Sequence, residues 1–324
     1  MNGASTGRSS VLVSGAGQLG SRYLQGLATC RHPLDIHVHD VQPAALALAE
    51  QRWQEVAALS TAHTVSFQAA VAALPREFDV AIVATTARAR PQLVREIAEH
   101  SAVRYWVLEK VLAQSEAGLD DILACTQPSR GAWVNTPRRM LPWHHQIAEH
   151  LVRNGAMTMT VDGGFWGLAC NSIHFLDLFS WWTGETLEAV DCAGLADHWI
   201  EGKRAGNWEV LGSIEARFSG GSTMRIHAQQ GEVFYTFELV DGEQVWRMTE
   251  QTGTAVRSDG LEVPGRIPFQ SELSGDLVVA LLTTGYCGLP SVAQSVAMHR
   301  IFIRGLLLHW RQTMDPGASL LPIT

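Results

Sequence analysis

Two groups of residues in this chain have types and spacings suited to chemistry. The first is a G-x-G-x-x-G pattern at Gly15, Gly17 and Gly20, with Gln18 and Leu19 inside it and Asp40 about twenty residues beyond. Glycines so spaced permit a tight turn, close approach of backbone to a pyrophosphate and close packing of a helix on a strand. The helix N-terminus then turns unpaired N–H groups toward the phosphates. An acid at Asp40 can accept hydrogen bonds from ribose hydroxyls and repels a 2′-phosphate, which favours NAD over NADP. The second group lies in "GLACNSIHFLDLFSWWTG", residues 167 to 184, where Cys170, Asn171, His174 and Asp177 interrupt an apolar run. Steps of three to four residues put Asn171 and His174 on one helix face, and histidine exchanges protons near neutral pH. Lys110, directly after "YWVLE", sits where a buried strand ends and desolvation can tune an amine.

These residues need a scaffold, and the surrounding pattern supplies one. Apolar β-rich runs at Val11–Val13, in "LDIHVHD", in "HTVSFQ", in "DVAIVATT" and in "RYWVLEK" alternate with helical patterns. Such alternation predicts a doubly wound parallel sheet that binds ligand at the carboxyl ends of its strands, where Thr85, Thr86 and Lys110 fall. Arg88 and Arg90 follow the fourth strand and read as solvated loop residues before cofactor or substrate contacts, and His37 and His39 as a solvated strand face before ligands. "AWVN" forms a sixth strand, followed by a turn and a helix. Arg138 and Arg139 leave that strand as candidates for a substrate carboxylate or phosphate, with a plain salt bridge an equal alternative. His144, His145, Glu149 and His150 lack a metal-ligand pattern and read as polar helix faces, so no metal is expected.

Beyond residue 156, apart from the histidine helix, short alternating runs bounded by glycine or aspartate predict antiparallel strands, and two long helices close the chain. The expected fold class is α/β: a Rossmann domain over residues 1–130, then an α+β domain over 131–324 with a large, mostly antiparallel open sheet. One face of that sheet packs on helices and the other is available to a subunit partner.

The 324 residues are 46% hydrophobic, with mean hydropathy +0.03, the composition of a water-soluble globular protein. A net charge of −8 without a lysine or arginine run argues against nucleic-acid or anionic-membrane partners and for a small molecule. "MNGASTGRSS" lacks the apolar stretch of a secretory signal, so the expected location is cytoplasmic. Five scattered cysteines, among them Cys170, read as reduced thiols.

With the glycine turn, "LEKVLA" and "HFLDLFSWWTG" in this order, the chain resembles the glucose-fructose oxidoreductase, inositol dehydrogenase and rhizopine-catabolism (Gfo/Idh/MocA) family, from Val11 to about Arg311. The resemblance implies a nicotinamide-dependent oxidoreductase interconverting hydroxyl and ketone on a sugar, cyclitol or sugar derivative, and assembly as a homodimer or homotetramer. It implies that Glu109 and Lys110 end their strand beside the cofactor, with Lys110 reaching the substrate hydroxyl and the nicotinamide, and that His174 is the acid or base. The family motif has proline after the lysine, where this chain has Val111, and an acid and a glycine where it has Cys170 and Ser172. A thiol is a weak hydrogen-bond partner, so Cys170 contributes at most an apolar wall to the substrate pocket, and Asn171 is the nearest polar substitute. The competing readings are a catalytically silent NAD or ligand sensor on the same fold, and a reductase of a non-carbohydrate substrate such as a pyrrole or imine.

Overall fold

The computed structural model describes residues 7–59, 62–202 and 204–324; the first six residues of the polar N-terminal stretch lie outside them. The chain divides into two compact units. One runs to Glu109 and adds Asp120–Asn135 and Pro268–Cys287; the other comprises Lys110–Leu119, Thr136–Ile267 and Gly288–Thr324. The first unit therefore takes in the sixth strand and a late helix, both from the region after residue 130.

Six strands build the first unit: β1 (Ser9–Ser14), β2 (Leu34–His39), β3 (Thr64–Gln68), β4 (Glu77–Val83), β5 (Ala102–Glu109) and β6 (Gly131–Asn135). They form one parallel sheet in the order β3-β2-β1-β4-β5-β6, with Val13 registered against Val38 on one side and Ile82 on the other. Strand order reverses between β1 and β4, the switch point at which doubly wound sheets open a crevice. The runs at 11–13, 80–83 and 105–108 are buried on both faces, which requires helices on both sides and explains why they do not alternate. The helices, in chain order, are α1 (Gln18–Leu27), α2 (Pro43–Val56), α3 (Arg90–His100), α4 (Glu116–Thr126), α5 (Pro142–Glu149), α6 (Leu168–Thr183), α7 (Gln270–Thr284) and α8 (Val292–Thr313). Of these, α7 lies on α1 so closely that a Cβ on Gly26 would stand 2.4 Å from the Ser271 carbonyl oxygen.

The second unit contains an eight-stranded sheet in the order β14-β13-β12-β11-β7-β10-β9-β8. Its strands are β7 (Thr158–Gly163), β8 (Leu187–Glu201), β9 (Trp208–Phe218), β10 (Thr223–Ala228), β11 (Tyr235–Asp241), β12 (Gln244–Thr249), β13 (Thr254–Arg257) and β14 (Glu262–Pro264). All neighbours are antiparallel except β7 and β10. Helix α6 covers β9 and β10, and α8 covers β8. Alternate residues bury Met224, Ile226, Phe237 and Leu239, while exposed positions carry cross-strand ion pairs, Arg225 with Glu215 and Arg247 with Glu238. Among the described residues, no helix is long and apolar enough to cross a membrane.

Candidate active site

In the first unit the glycine turn links β1 to α1. Gly15 has φ +96°, and a Cβ there would meet the Thr85 backbone nitrogen at 2.7 Å. A Cβ on Gly20 would lie 1.7 Å from the Gly15 carbonyl oxygen. Both positions therefore exclude larger residues on steric grounds. Gly17 differs: nothing lies within 4 Å of its Cβ position, and no side chain caps the helix it begins. Open space in front of an N-terminus without a side-chain cap is a cradle that fits a pyrophosphate, as a dinucleotide would require. Asp40 closes the turn, its Oδ2 accepting from the Ala16 N–H at 2.7 Å and its Oδ1 from that of Gln42 at 2.8 Å. Four lone-pair sites on a carboxylate leave room for ribose hydroxyls as well. Gln18 accepts from Arg52 of α2 at 2.9 Å, which sets a cation beside the cradle that the sequence did not single out. Leu19 is the helix position next to it.

Thr85 and Thr86 follow β4 at the carboxyl edge. Thr85 Oγ1 is buried without a hydrogen-bond partner among the described residues, a polar atom left for a ligand or water. The Thr85 carbonyl accepts from Arg90, and the Thr86 carbonyl accepts from the Ala89 and Arg90 N–H groups. Arg88 is exposed as expected, but Arg90 is fully buried: its guanidinium braces the loop instead of meeting solvent. His39 is likewise buried, its Nδ1 2.8 Å from Ser14 Oγ, and burial holds its pKa below the ordinary value. Glu109, expected beside the cofactor, is 3% exposed and has a structural task. Its Oε1 accepts from Tyr23 of α1 at 2.6 Å and from Asn135 of β6 at 2.7 Å, locking helix and sheet together.

In the second unit the site is built on α6. Glycines in the left-handed region bound the helix, Gly167 at φ +83° and Gly184 at φ +75°, and the Gly184 N–H returns to the Ser180 carbonyl as an αL cap. The middle of the helix buries Ile173, Phe175, Leu176, Leu178 and Phe179, with His174 and Asp177 as its polar residues. His174 is partly exposed within this setting. Its Nδ1 is buried without a hydrogen-bond partner among the described residues. Burial, then the charges of Lys110 and Arg138 and the ring of His299, hold its pKa well below the ordinary histidine value, so the imidazole is neutral at pH 7.

Lys110 reaches the first turn of α6: Nζ donates to Asn171 Oδ1 at 2.9 Å and to the Cys170 carbonyl at 3.1 Å. Asn171 Nδ2 in turn donates to the Trp166 carbonyl at 2.9 Å, which orients the amide. The Lys110–Val111 peptide is cis. Burial, together with Glu209, pushes the Cys170 thiol up to about 12, so it is not a nucleophile at neutral pH. Lys110, Cys170, Asn171 and His174 thus come together.

Arg138 and Arg139 are engaged elsewhere. Arg139 makes a two-point pair with Asp177, at 2.6 and 2.8 Å, and Thr136 Oγ1 adds a third bond to the same carboxylate. Arg138 makes a two-point pair with Glu250, at 2.7 and 2.8 Å, and lies over the Phe175 ring. Tyr235 and His144 also contact Glu250, at 2.5 and 3.1 Å. Burial pushes the Glu250 carboxyl up, but Arg138 and His144 outweigh it and hold it well below the usual carboxylate range. The salt-bridge alternative describes both arginines, whose planar forks are occupied by the protein's own acids.

Sequence reasoning missed Glu209, which is 7% exposed and accepts from the Ala169 N–H at 2.8 Å. A lone acid between Trp208 and Val210 was its only sequence signal.

No protein-family model matches the sequence, and no curated protein matches it. Solved structures do. A UDP-N-acetylglucosamine 3-dehydrogenase, GnnA, from Acidithiobacillus ferrooxidans is similar with a TM-score of 0.70 at 13% identity, over 94% of this chain and 97% of that one. Levoglucosan dehydrogenase in complex with NADH is similar with a TM-score of 0.69 at 14% identity, over 94% and 98%. Scyllo-inositol dehydrogenase from Lactobacillus casei, with bound NAD(H) and scyllo-inositol, is similar with a TM-score of 0.66 at 12% identity, over 94% and 97%. The fold is that of the Gfo/Idh/MocA-type dehydrogenases, as the sequence resemblance implied.

Proposed function

From that fold we propose that the protein is an NAD-dependent oxidoreductase that interconverts a hydroxyl and a ketone on a sugar, cyclitol or sugar derivative. The observation that carries the reading is His174: a neutral, partly exposed imidazole without a hydrogen-bond partner among the described residues, one helical turn from the amide that holds Lys110. His39 and His144 each bury one nitrogen without a partner and bond through the other, whereas among the described residues His174, partly exposed, bonds through neither.

A bound nicotinamide supplies the acceptor or donor of the hydride. The chain's own residues do the rest. In the oxidative direction the Lys110 ammonium orients the substrate hydroxyl and steadies the oxygen as negative charge develops on it. With its proton on the buried Nδ1, His174 presents Nε2 to accept the hydroxyl proton. Asn171 holds Lys110 in place and offers an amide to a neighbouring hydroxyl, while Cys170 contributes a neutral wall. Reduction reverses these proton movements. On the cofactor side, Gly15, Gly17 and Gly20 accept the pyrophosphate, Asp40 the ribose hydroxyls, and Thr85 and Thr86 line the strand edge. Asp40 favours NAD over NADP through repulsion of a 2′-phosphate. The same reading makes a homodimer or homotetramer the expected assembly, checked by light scattering on the eluting protein.

The test is absorbance of NADH across sugars, sugar acids, nucleotide sugars and their keto forms, with Lys110→Ala and His174→Ala beside the parent. Turnover in the parent that both substitutions abolish supports the reading. Cofactor binding with no turnover anywhere on the panel replaces it with a binding protein. Turnover that survives His174→Ala but needs Lys110 points to a reductase of another substrate class.

A further inference from the structure

Measured against the family motif, α6 is one carboxylate short, because Cys170 stands at the position of an acid one turn before His174. The structure brings a carboxylate to the same place from another element. Glu209, on β9, points at the first turn of α6, where Oε2 accepts from the Ala169 N–H at 2.8 Å. Cys170 is the next residue of that turn, and the charge of Glu209 acts on its thiol. Its Oε1 comes within 3.2 Å of the point where a side chain on Gly167 would begin, so the approach depends on glycine there. Lys110 stands at the same turn, bound to the Cys170 carbonyl and to Asn171; burial raises the Glu209 carboxyl above its ordinary value, and the Ala169 N–H and the Lys110 charge act against that shift.

A carboxylate buried to 7% exposure is tolerated only with partners, and every partner named here belongs to the site or to the turn that carries it. The thiol at 170 suits this arrangement: it stays neutral beside Glu209, whereas an acid there would set two carboxylates against each other.

We propose that Glu209 is the carboxylate of the α6 site, supplied from β9 in place of an acid at 170. It acts as a positioning residue: it anchors the first turn of α6 and balances the Lys110 charge, which keeps Lys110 on Asn171. The kinetic consequence rests on the reading of α6 as an active site; the placement does not.

Two readouts separate them. The first needs no substrate: alkylation of Cys170 by iodoacetamide, followed by peptide mass spectrometry between pH 7 and about 9.5, all below the value of about 12 to which this thiol is pushed. The groups facing this thiol are Glu209, Lys110 and the Thr324 backbone. Glu209→Gln removes the negative charge that disfavours the thiolate, and alkylation is expected to rise several-fold at each pH. An unchanged alkylation profile overturns the placement, whether or not a substrate is known. The second readout is kcat/KM against pH on whatever substrate the panel identifies. Glu209→Gln is expected to lose about tenfold, mostly in kcat, with cofactor affinity kept. Glu209→Asp recovers part of the loss, and Cys170→Asp combined with Glu209→Gln recovers more. A Glu209→Gln enzyme with the parent's pH profile overturns the positioning role. Absence of turnover in the parent defeats the dehydrogenase reading alone, and alkylation then decides the placement. Should Glu209→Gln fail to fold, Cys170→Asp with Glu209 intact decides instead. It is expected to melt below the parent near neutral pH, with the gap narrowing toward about pH 4 as carboxylates protonate. Melting equal to the parent at every pH overturns the proposal.

Discussion

The cradle after β1 and the site on α6 solve opposite problems. The cradle is made of backbone: Gly17 leaves open space before α1, and the acid nearby, Asp40, hydrogen-bonds to main-chain N–H groups. The α6 site is made of side chains from distant segments, with Lys110 on Asn171, Glu209 at Ala169 and Arg139 on Asp177. In the cradle, shape excludes side chains at Gly15 and Gly20, and the recognition we propose there is general to a pyrophosphate. On α6, charge is balanced group by group, and His174 keeps a buried nitrogen without a partner among the described residues, as His39 and His144 do elsewhere. Backbone recognition tolerates sequence change outside three glycines; a charge-balanced cluster tolerates it only when partners change together.

The sharpest break in this comparison comes from the α6 side. His174→Ala and Lys110→Ala are each expected to cut kcat by about 10²–10⁴-fold while NAD affinity, measured by fluorescence quenching, stays with the parent. Equal loss of NAD affinity would show that the two regions cannot be treated as separate functions.

Next in size is the buried pair beneath α6. Arg138→Met leaves Glu250 buried without its two-point partner and is expected to cost about 3–5 kcal/mol in urea unfolding. Adding Glu250→Gln should return part of that.

On the cradle side, Gly17→Ala meets no atom within 4 Å and should fold like the parent, yet raise the Kd for NAD at least about tenfold, or about 1.4 kcal/mol. Gly20→Ala, whose Cβ would sit 1.7 Å from a carbonyl oxygen, should lower the melting temperature instead. If both variants lose only affinity, the packing argument for Gly20 fails.

A smaller effect is the pH dependence. His174 has its folded pKa depressed, so below about 6.5 the unfolded chain takes up a proton that the folded chain refuses. Its contribution to stability is therefore complete above about pH 6.5 and is lost as pH falls below it. His174→Gln should flatten the melting temperature between pH 6.5 and about 5. For the same reason the oxidative rate should be level near neutral pH and fall on the acid side as His174 takes up a proton. The smallest expected change is Asp40→Asn, which should narrow the preference for NAD over NADP, read as the ratio of their kcat/KM values.

Legibility in the sequence followed the distance over which each feature is decided. The glycine turn and Asp40 were legible because a strand, a turn and a helix are local, and sterics alone dictates glycine at 15 and 20. The strands of both sheets were legible from their runs, since period and burial follow from the sheet face; β14, three residues long, escaped because no run marks it. Arg90 was misread as solvated because exposure was taken from residue type, whereas its loop folds back on it; His39 was misread from strand alternation, whereas β2 is buried on both faces at its carboxyl end and the ring bonds to Ser14. Glu109 was placed beside the cofactor by the family resemblance, and its bonds to Tyr23 and Asn135 join segments far apart in the chain.

The sequence by itself determined the two sheets, the cradle and the helix that carries His174, because hydrophobic period, glycine sterics and strand-to-helix alternation are encoded within a few residues of where they act. Only the tertiary structure decided which acid meets which base: Glu250 with Arg138, Asp177 with Arg139, and Glu209 beside Cys170. The reason is physical. A buried charge costs too much to stand alone, so its partner is chosen by proximity in the folded chain, and proximity across a sheet carries no mark in the linear order.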